Sequence, residues 1–175
     1  MFSLTPPEIE AIYLSLKVSL WAVAISLPFG IIAAWCLARL SFPGKTLLDV
    51  FIHLPLVVPP IVIGYLLLLV FGRNGAVGGW MHDVLGMSIS FSWQGAAVAA
   101  AVMAFPLMVR AIRLSIESID VRLEHAARTL GAGRLDVFFS VTLPLAGSGI
   151  FVGIILAFAR ALGEFGATIT FVSAI

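Results

Sequence analysis

Four long apolar stretches alternate with short polar interruptions along the chain. Val18–Ala38 runs 21 residues without a charge, Val50–Gly72 runs 23 with His53 as its one titratable group, Val84–Val109 runs 26, and Val137–Ala159 runs 23. At about 1.5 Å rise per residue, a helix over any of them crosses a hydrocarbon core of roughly 30 Å. The pattern predicts spanning helices over 12–38, 47–71, 93–110 and 143–163. Residues 1–16, with Pro6, Pro7, Glu8 and Glu10, read as a short segment at the membrane surface. The link Arg39–Thr46 is broken by Pro43-Gly44, a turn signal. Gly72, Gly75, Gly78 and Gly79, with Arg73, Asn74, His82 and Asp83, predict a longer loop. Arg110–Asp136 holds five arginines and four acids and is the strongly polar stretch of the chain. The eleven residues Phe165–Ile175 are too few to span as a helix, and an end on Ile175 without a polar tail predicts a truncated sequence with a further helix to follow.

Composition agrees with the pattern. Hydrophobic residues make up 61% of the chain and charged ones 11%, against about 45–50% and about 25% in soluble domains. The expectation is an all-α, polytopic helical bundle with at least four spans. A formal charge of +1 provides no basic field for nucleic acid. A lone cysteine, Cys36, excludes a disulfide framework or a cysteine zinc cluster within one chain. No Lys or Arg precedes Lys17, and the first apolar run exceeds a signal core, so this run is expected to stay in the membrane. Placing Arg39–Thr46 and 110–136 on one side gathers seven of the ten Lys/Arg there, and positive loops stay cytoplasmic. The N-terminus is then expected outside.

The polar stretch has internal design. In 118–130, SIDVRLEHAARTL, apolar Ile119, Leu123, Ala126, Ala127 and Leu130 fall on one helix face. Asp120 suits the N-cap, and Glu124 lies near the positive end of the helix dipole. Gly131 stands where a left-handed C-terminal cap needs a residue without Cβ. A second short helix over 134–141 then leads to Leu143-Pro144. Two uses fit this helix–Gly–helix bracket: a solvated connector whose arginines face lipid headgroups, or a helix that docks into a partner's groove.

Other groups are ambiguous at this level. Pro55, Pro59 and Pro60 must kink or unwind the second helix, as a packing feature or as a bend lining a pathway, and Pro106 poses the same choice. Arg160 and Glu164, four apart, suit either a structural pair or a gate. Thr168 and Thr170 offer hydroxyls in the segment after them. His53 reads as a helix-end histidine rather than a metal ligand. Gly44-Lys45-Thr46 looks like the end of a phosphate-binding loop, but Arg39 stands in place of the first glycine and no strand precedes it, so no ATP site is expected. No HExxH or GxSxG occurs, which argues against an intramembrane enzyme. An autonomous channel or secondary transporter would call for coupling carboxylates deep in the spans, where only Glu164 is a candidate.

Ala126-Ala127, three residues, Gly131, nine residues and Val141-Thr142-Leu143-Pro144 resemble the EAA motif of ABC importer permeases. That motif reads E-A-A, three residues, Gly, nine residues, I-x-L-P. His125 stands where the motif has Glu, and Val141 where it has Ile; Glu124, one place earlier, displaces the acidic character rather than losing it. HLPLVVPPIVIGYLLLLVFGRNG (53–75), FPLMVRAIRLSIESID (105–120) and FARALGEFGATITFVS (158–173) are similar to permeases of molybdate importers, with sulfate and thiosulfate permeases alike in the same places. The resemblance implies a MetI-like permease domain over 1–175 in a bacterial inner membrane, with 111–142 as its cytoplasmic coupling segment. It implies an importer in which two permease chains form the pathway and separate ATP-binding cassette subunits hold ATP and magnesium. A periplasmic oxyanion-binding protein delivers the cargo. Glu124, His125, Ala126, Ala127, Gly131, Leu143 and Pro144 become the residues coupled to the ATPase. Pro59, Pro60, Arg160, Glu164 and Thr168 become candidates for the pathway or its gate. No cofactor is implied on this chain, and molybdate, tungstate and sulfate stay open.

Overall fold

Proline at the first turn of a helix forfeits no hydrogen bond, and the chain uses this at its start. The computed structural model describes residues 5–73, 75–85 and 92–164. Its first helix, α1 (Pro6–Arg39), takes in most of the stretch expected to lie at the surface. Pro6 and Pro7 sit at its opening positions, and the Glu8 carboxylate accepts from the Thr5 backbone N–H (2.7 Å) and hydroxyl (2.8 Å). The surface-segment expectation therefore gives way to one uninterrupted rod.

The second expected span is divided. Helix α2 (Lys45–His53) follows Gly44, whose φ is +91°. A 3-10 turn over Leu54–Leu56 comes next, and α3 (Pro60–Phe71) starts afresh. Pro59 and Pro60 mark the break itself, because neither can donate into a continuing ladder. The glycine-rich loop expected after Gly72 contains a helix, α4 (Ala76–Leu85), in which Trp80 and Val84 recur at helical spacing.

Helix α5 (Trp93–Ser118) runs well past its expected end near residue 110, because Met108, Ile112 and Ile116 continue its buried stripe. Then follow α6 (Val121–Thr129), α7 (Arg134–Val137), a π turn over Phe138–Thr142, α8 (Leu143–Leu145) and α9 (Gly147–Leu162). The rod Arg134–Leu145 meets α9 at a 67° bend. Among the described residues every regular element is helical.

Helices α1, α5 and α9 form the core, with α5 between the other two. The buried stripes consist largely of small residues. On α1 they include Ser19, Ala22, Ser26, Gly30 and Ala34; on α5, Ala97, Ala100 and Ala104; on α9, Gly149, Gly153, Ala157 and Ala161. Small residues let backbones approach, which is how helices associate where lipid competes for every apolar contact. A Cβ built on Gly149 would lie 2.1 Å from the Ser115 Cβ, so this crossing admits nothing larger. The large apolar side chains face outward instead, among them Leu20 and Phe29 on α1, Phe51 on α2, Ile61 on α3 and Phe151 on α9. Water would not tolerate such a surface; hydrocarbon does. Glu8–Arg39, Pro60–Trp80 and Trp93–Ser118 are long and apolar enough to cross a bilayer, and the bent pair after Arg134 makes a fourth if taken as one span.

Candidate functional site

The bracket between α5 and α9 is built from local signals. The Asp120 side chain accepts from the Arg122 N–H (2.9 Å) and starts α6. At the other end Gly131 takes φ +91°; its N–H bonds the Arg128 carbonyl (3.0 Å) while the Ala132 N–H reaches back to Ala127 (3.1 Å). These two bonds form a Schellman cap, and the left-handed residue in it favours glycine. A Cβ on Gly131 would meet open space, so the requirement is one of backbone angle, not of room. Asp136 then caps the next turn through the Gly133 N–H (3.0 Å).

What α6 turns inward is its carboxylate. Glu124 is only 5% exposed, and its Oε1 accepts from Arg39 Nε (2.8 Å) and from the Thr142 hydroxyl (3.1 Å). Arg39 Nη2 also donates to the Ile119 carbonyl at the end of α5 (3.1 Å). One carboxylate thus joins the end of α1, the α5–α6 corner and the π turn leading into α9. Buried charge persists only when paired and hydrogen-bonded, and Glu124 meets both conditions.

The stripe read as one apolar face is split by the fold. Ile119 is buried, but Leu123 is exposed, Ala126 is exposed, Ala127 is half-buried, and Leu130 is 89% exposed. Val121, Leu135 (72% exposed) and Phe139 add to this outward apolar surface, and His125 and Gly131 lie on the same exposed elbow. Leu143 is half-buried and Pro144 exposed at the start of α8. So the structure separates Glu124, held inside, from His125, turned outward one residue later.

The other candidates lie elsewhere. Pro59 and Pro60 are in the break before α3. Arg160 and Glu164 form an ion pair with the Glu164 carboxylate buried, at the far end of α9 from the bracket. Thr168 and Thr170, with all of 165–175, lie outside the described residues. His53 shares a charged cluster: its Nδ1 donates to the Asp49 carbonyl (2.9 Å), and Arg113 bonds both Asp49 (3.0 Å) and Glu117 (2.7 Å). Among the described residues no His, Cys, Asp and Glu gather as a metal-binding group.

Sequence reasoning missed Arg39 and Thr142 as partners of Glu124, and Asp49 as the partner of Arg113. A charged residue closing an apolar run was the available signal for Arg39. Nothing local pointed to its partner 85 positions away.

Helices that pack through small residues, an apolar exterior and an exposed elbow between α5 and α9 define a polytopic membrane protein. The chain belongs to the family of binding-protein-dependent transport system inner membrane components, whose model matches residues 26–174. More particular likenesses follow. Over 170 residues the chain is 65% identical to the molybdenum transport system permease protein ModB of Escherichia coli, covering 97% of this chain and 74% of that protein. With the Haemophilus influenzae protein of the same name identity is 58% over 166 residues, covering 95% and 72%. The sulfate transport system permease protein CysW of Escherichia coli is 38% identical over 162 residues, covering 93% and 55%. In fold, the chain is similar to a solved structure described as an amino acid ABC transporter with histidines. The TM-score is 0.56 at 23% identity, covering 93% of this chain and 73% of that one. The chain is thus a multi-pass inner-membrane permease subunit and not an enzyme; ATP hydrolysis belongs to a separate subunit of the system.

Proposed function

We propose that this chain is the permease subunit of an ATP-driven importer of molybdate, carrying the oxyanion from periplasm to cytoplasm by alternating access. The observation that carries the cargo is the gap in identity, 65% to a molybdenum permease against 38% to a sulfate permease. The mechanism rests on the elbow. Its exposed Leu123, Leu130 and Leu135, with small Ala126 beside them, suit a groove in the ATP-binding cassette subunit. His125, Ala127, Gly131, Leu143 and Pro144 surround that contact, and Glu124 acts behind it. When ATP closes the motor subunits, the seated elbow moves. The Glu124–Arg39 pair passes that displacement to α1, the Thr142 bond passes it to α9, and the helices rock as rigid bodies.

The remaining roles follow from this reading. ATP and magnesium bind the motor subunit, and this chain carries no cofactor of its own. The outward apolar faces suit lipid and a second copy of the chain, with the pathway between the two copies. The N-terminus is periplasmic and the elbow cytoplasmic. The break at Pro59 and Pro60 and the Arg160–Glu164 pair border the pathway. Glu164 would repel an oxyanion, so its place is in a gate rather than among ligands.

The test is uptake by proteoliposomes holding this chain, its ATP-binding subunit and its binding protein. ATP-dependent accumulation of molybdate, uncompeted by excess sulfate, is expected. Accumulation blocked by sulfate would make the chain a sulfate permease, and uptake without the ATP-binding subunit would make it a channel.

A further inference from the structure

The elbow encloses a cavity of about 310 Å³ with two unlike walls. Trp35, Leu40 and Phe138 form an apolar wall, and the Trp35 and Phe138 rings meet edge to face at 5.4 Å. Arg39, Arg128 and Arg134 form a cationic one. Glu124 is the carboxylate in the lining, and Arg39 already engages it. Among the described residues neither Arg128 nor Arg134 has an ion pair or a side-chain hydrogen bond. The cavity therefore carries two uncompensated positive charges. Tryptophan one turn inside a spanning helix marks the interfacial depth, where headgroups lie. An inorganic oxyanion would use the arginines and leave the apolar wall idle. A phosphodiester on a glycerol stem uses both.

We propose that this cavity binds the headgroup of an anionic phospholipid, with Arg128 and Arg134 on the phosphodiester and Trp35 and Phe138 against the glycerol end. The site stands whatever the cargo is, and it rests on the elbow's being cytoplasmic. Anionic lipids of the inner leaflet attract each nearby arginine by about 1 kcal/mol. A lipid here would sit beside the Glu124–Arg39 pair and steady the elbow.

The experiment is native mass spectrometry of the assembled permease–ATPase complex titrated with phosphatidylglycerol or phosphatidylcholine. Preferential retention of one phosphatidylglycerol per permease chain is expected. That preference should fall about fivefold for each arginine lost in Arg128→Gln/Arg134→Gln, the equivalent of about 1 kcal/mol each. Arg128→Lys/Arg134→Lys, which keeps the charge, should hold most of it and controls for misfolding. Undiminished preference in the glutamine variant overturns the site. Displacement of the lipid by millimolar molybdate or inorganic phosphate overturns the lipid assignment in favour of a free oxyanion. Loss of the ATPase subunit from the glutamine variant overturns it in favour of a protein contact. Failure of the transport reading would show as an absent ATPase subunit in the unaltered complex.

Discussion

Glu124 and His125 are neighbours with opposite fates, and the difference is measurable. Removing one partner of a buried ion pair strands the other, at about 3–5 kcal/mol. Glu124→Ala should cost that much, since Arg39 and Thr142 both lose their acceptor. His125→Ala, on the exposed side, should stay within about 0.5 kcal/mol. Thermal unfolding of the purified chain in detergent compares the two; equal shifts would mean that the carboxylate holds nothing. At Gly131 a side chain pays about 1–2 kcal/mol for the left-handed angle, and asparagine pays less. Gly131→Arg should therefore insert normally yet lose ATP-driven uptake, because its bulk stands on the proposed docking surface. Gly131→Asn should retain most transport. Vesicle uptake alongside membrane yield checks both.

At the scale of elements, the α5–α9 crossing depends on missing atoms. Gly149→Ala places a Cβ on the Ser115 Cβ and should cost about 1–3 kcal/mol as overpacking. Ser115→Gly in the same chain should restore part of that loss, measured as recovery in unfolding temperature. No recovery would mean that the two helices do not meet there. Much of this level was legible from the residues. Long uncharged runs anticipated helices in α1, α3, α5 and α9, Asp120 and Gly131 fell at the ends of α6, and Pro55, Pro59 and Pro60 announced a kink or break in the second span. Several boundaries were not. Residues 1–16, with Pro6-Pro7, read as a surface segment although that pair starts α1, and the glycines after Phe71 concealed α4. In both places a residue's meaning depends on whether it falls at the first turn or inside, and composition does not say which.

The orientation proposed for the whole molecule rests on charge alone. In a Cys36→Ala background, a cysteine replacing Leu130, the most exposed leucine of the elbow, should react with a membrane-impermeant maleimide only in inside-out vesicles. Labelling in right-side-out cells would invert the topology. Hydrophobic content and the placement of arginines follow from the residues one by one, so a polytopic helical bundle and the position of its elbow along the chain were readable before folding. Periodicity also placed Leu123, Ala126 and Leu130 on one side of α6, since that depends on neighbours three and four positions away. It did not tell which face turns inward. That choice belongs to Arg39 and Thr142, 85 and 18 positions from Glu124, which offer hydrogen-bond donors that outweigh the pull of leucine toward the core. Those donors meet only once the chain has folded, and the same packing sets the 67° bend before α9, the two-walled cavity and the apolar side chains left exposed on the elbow.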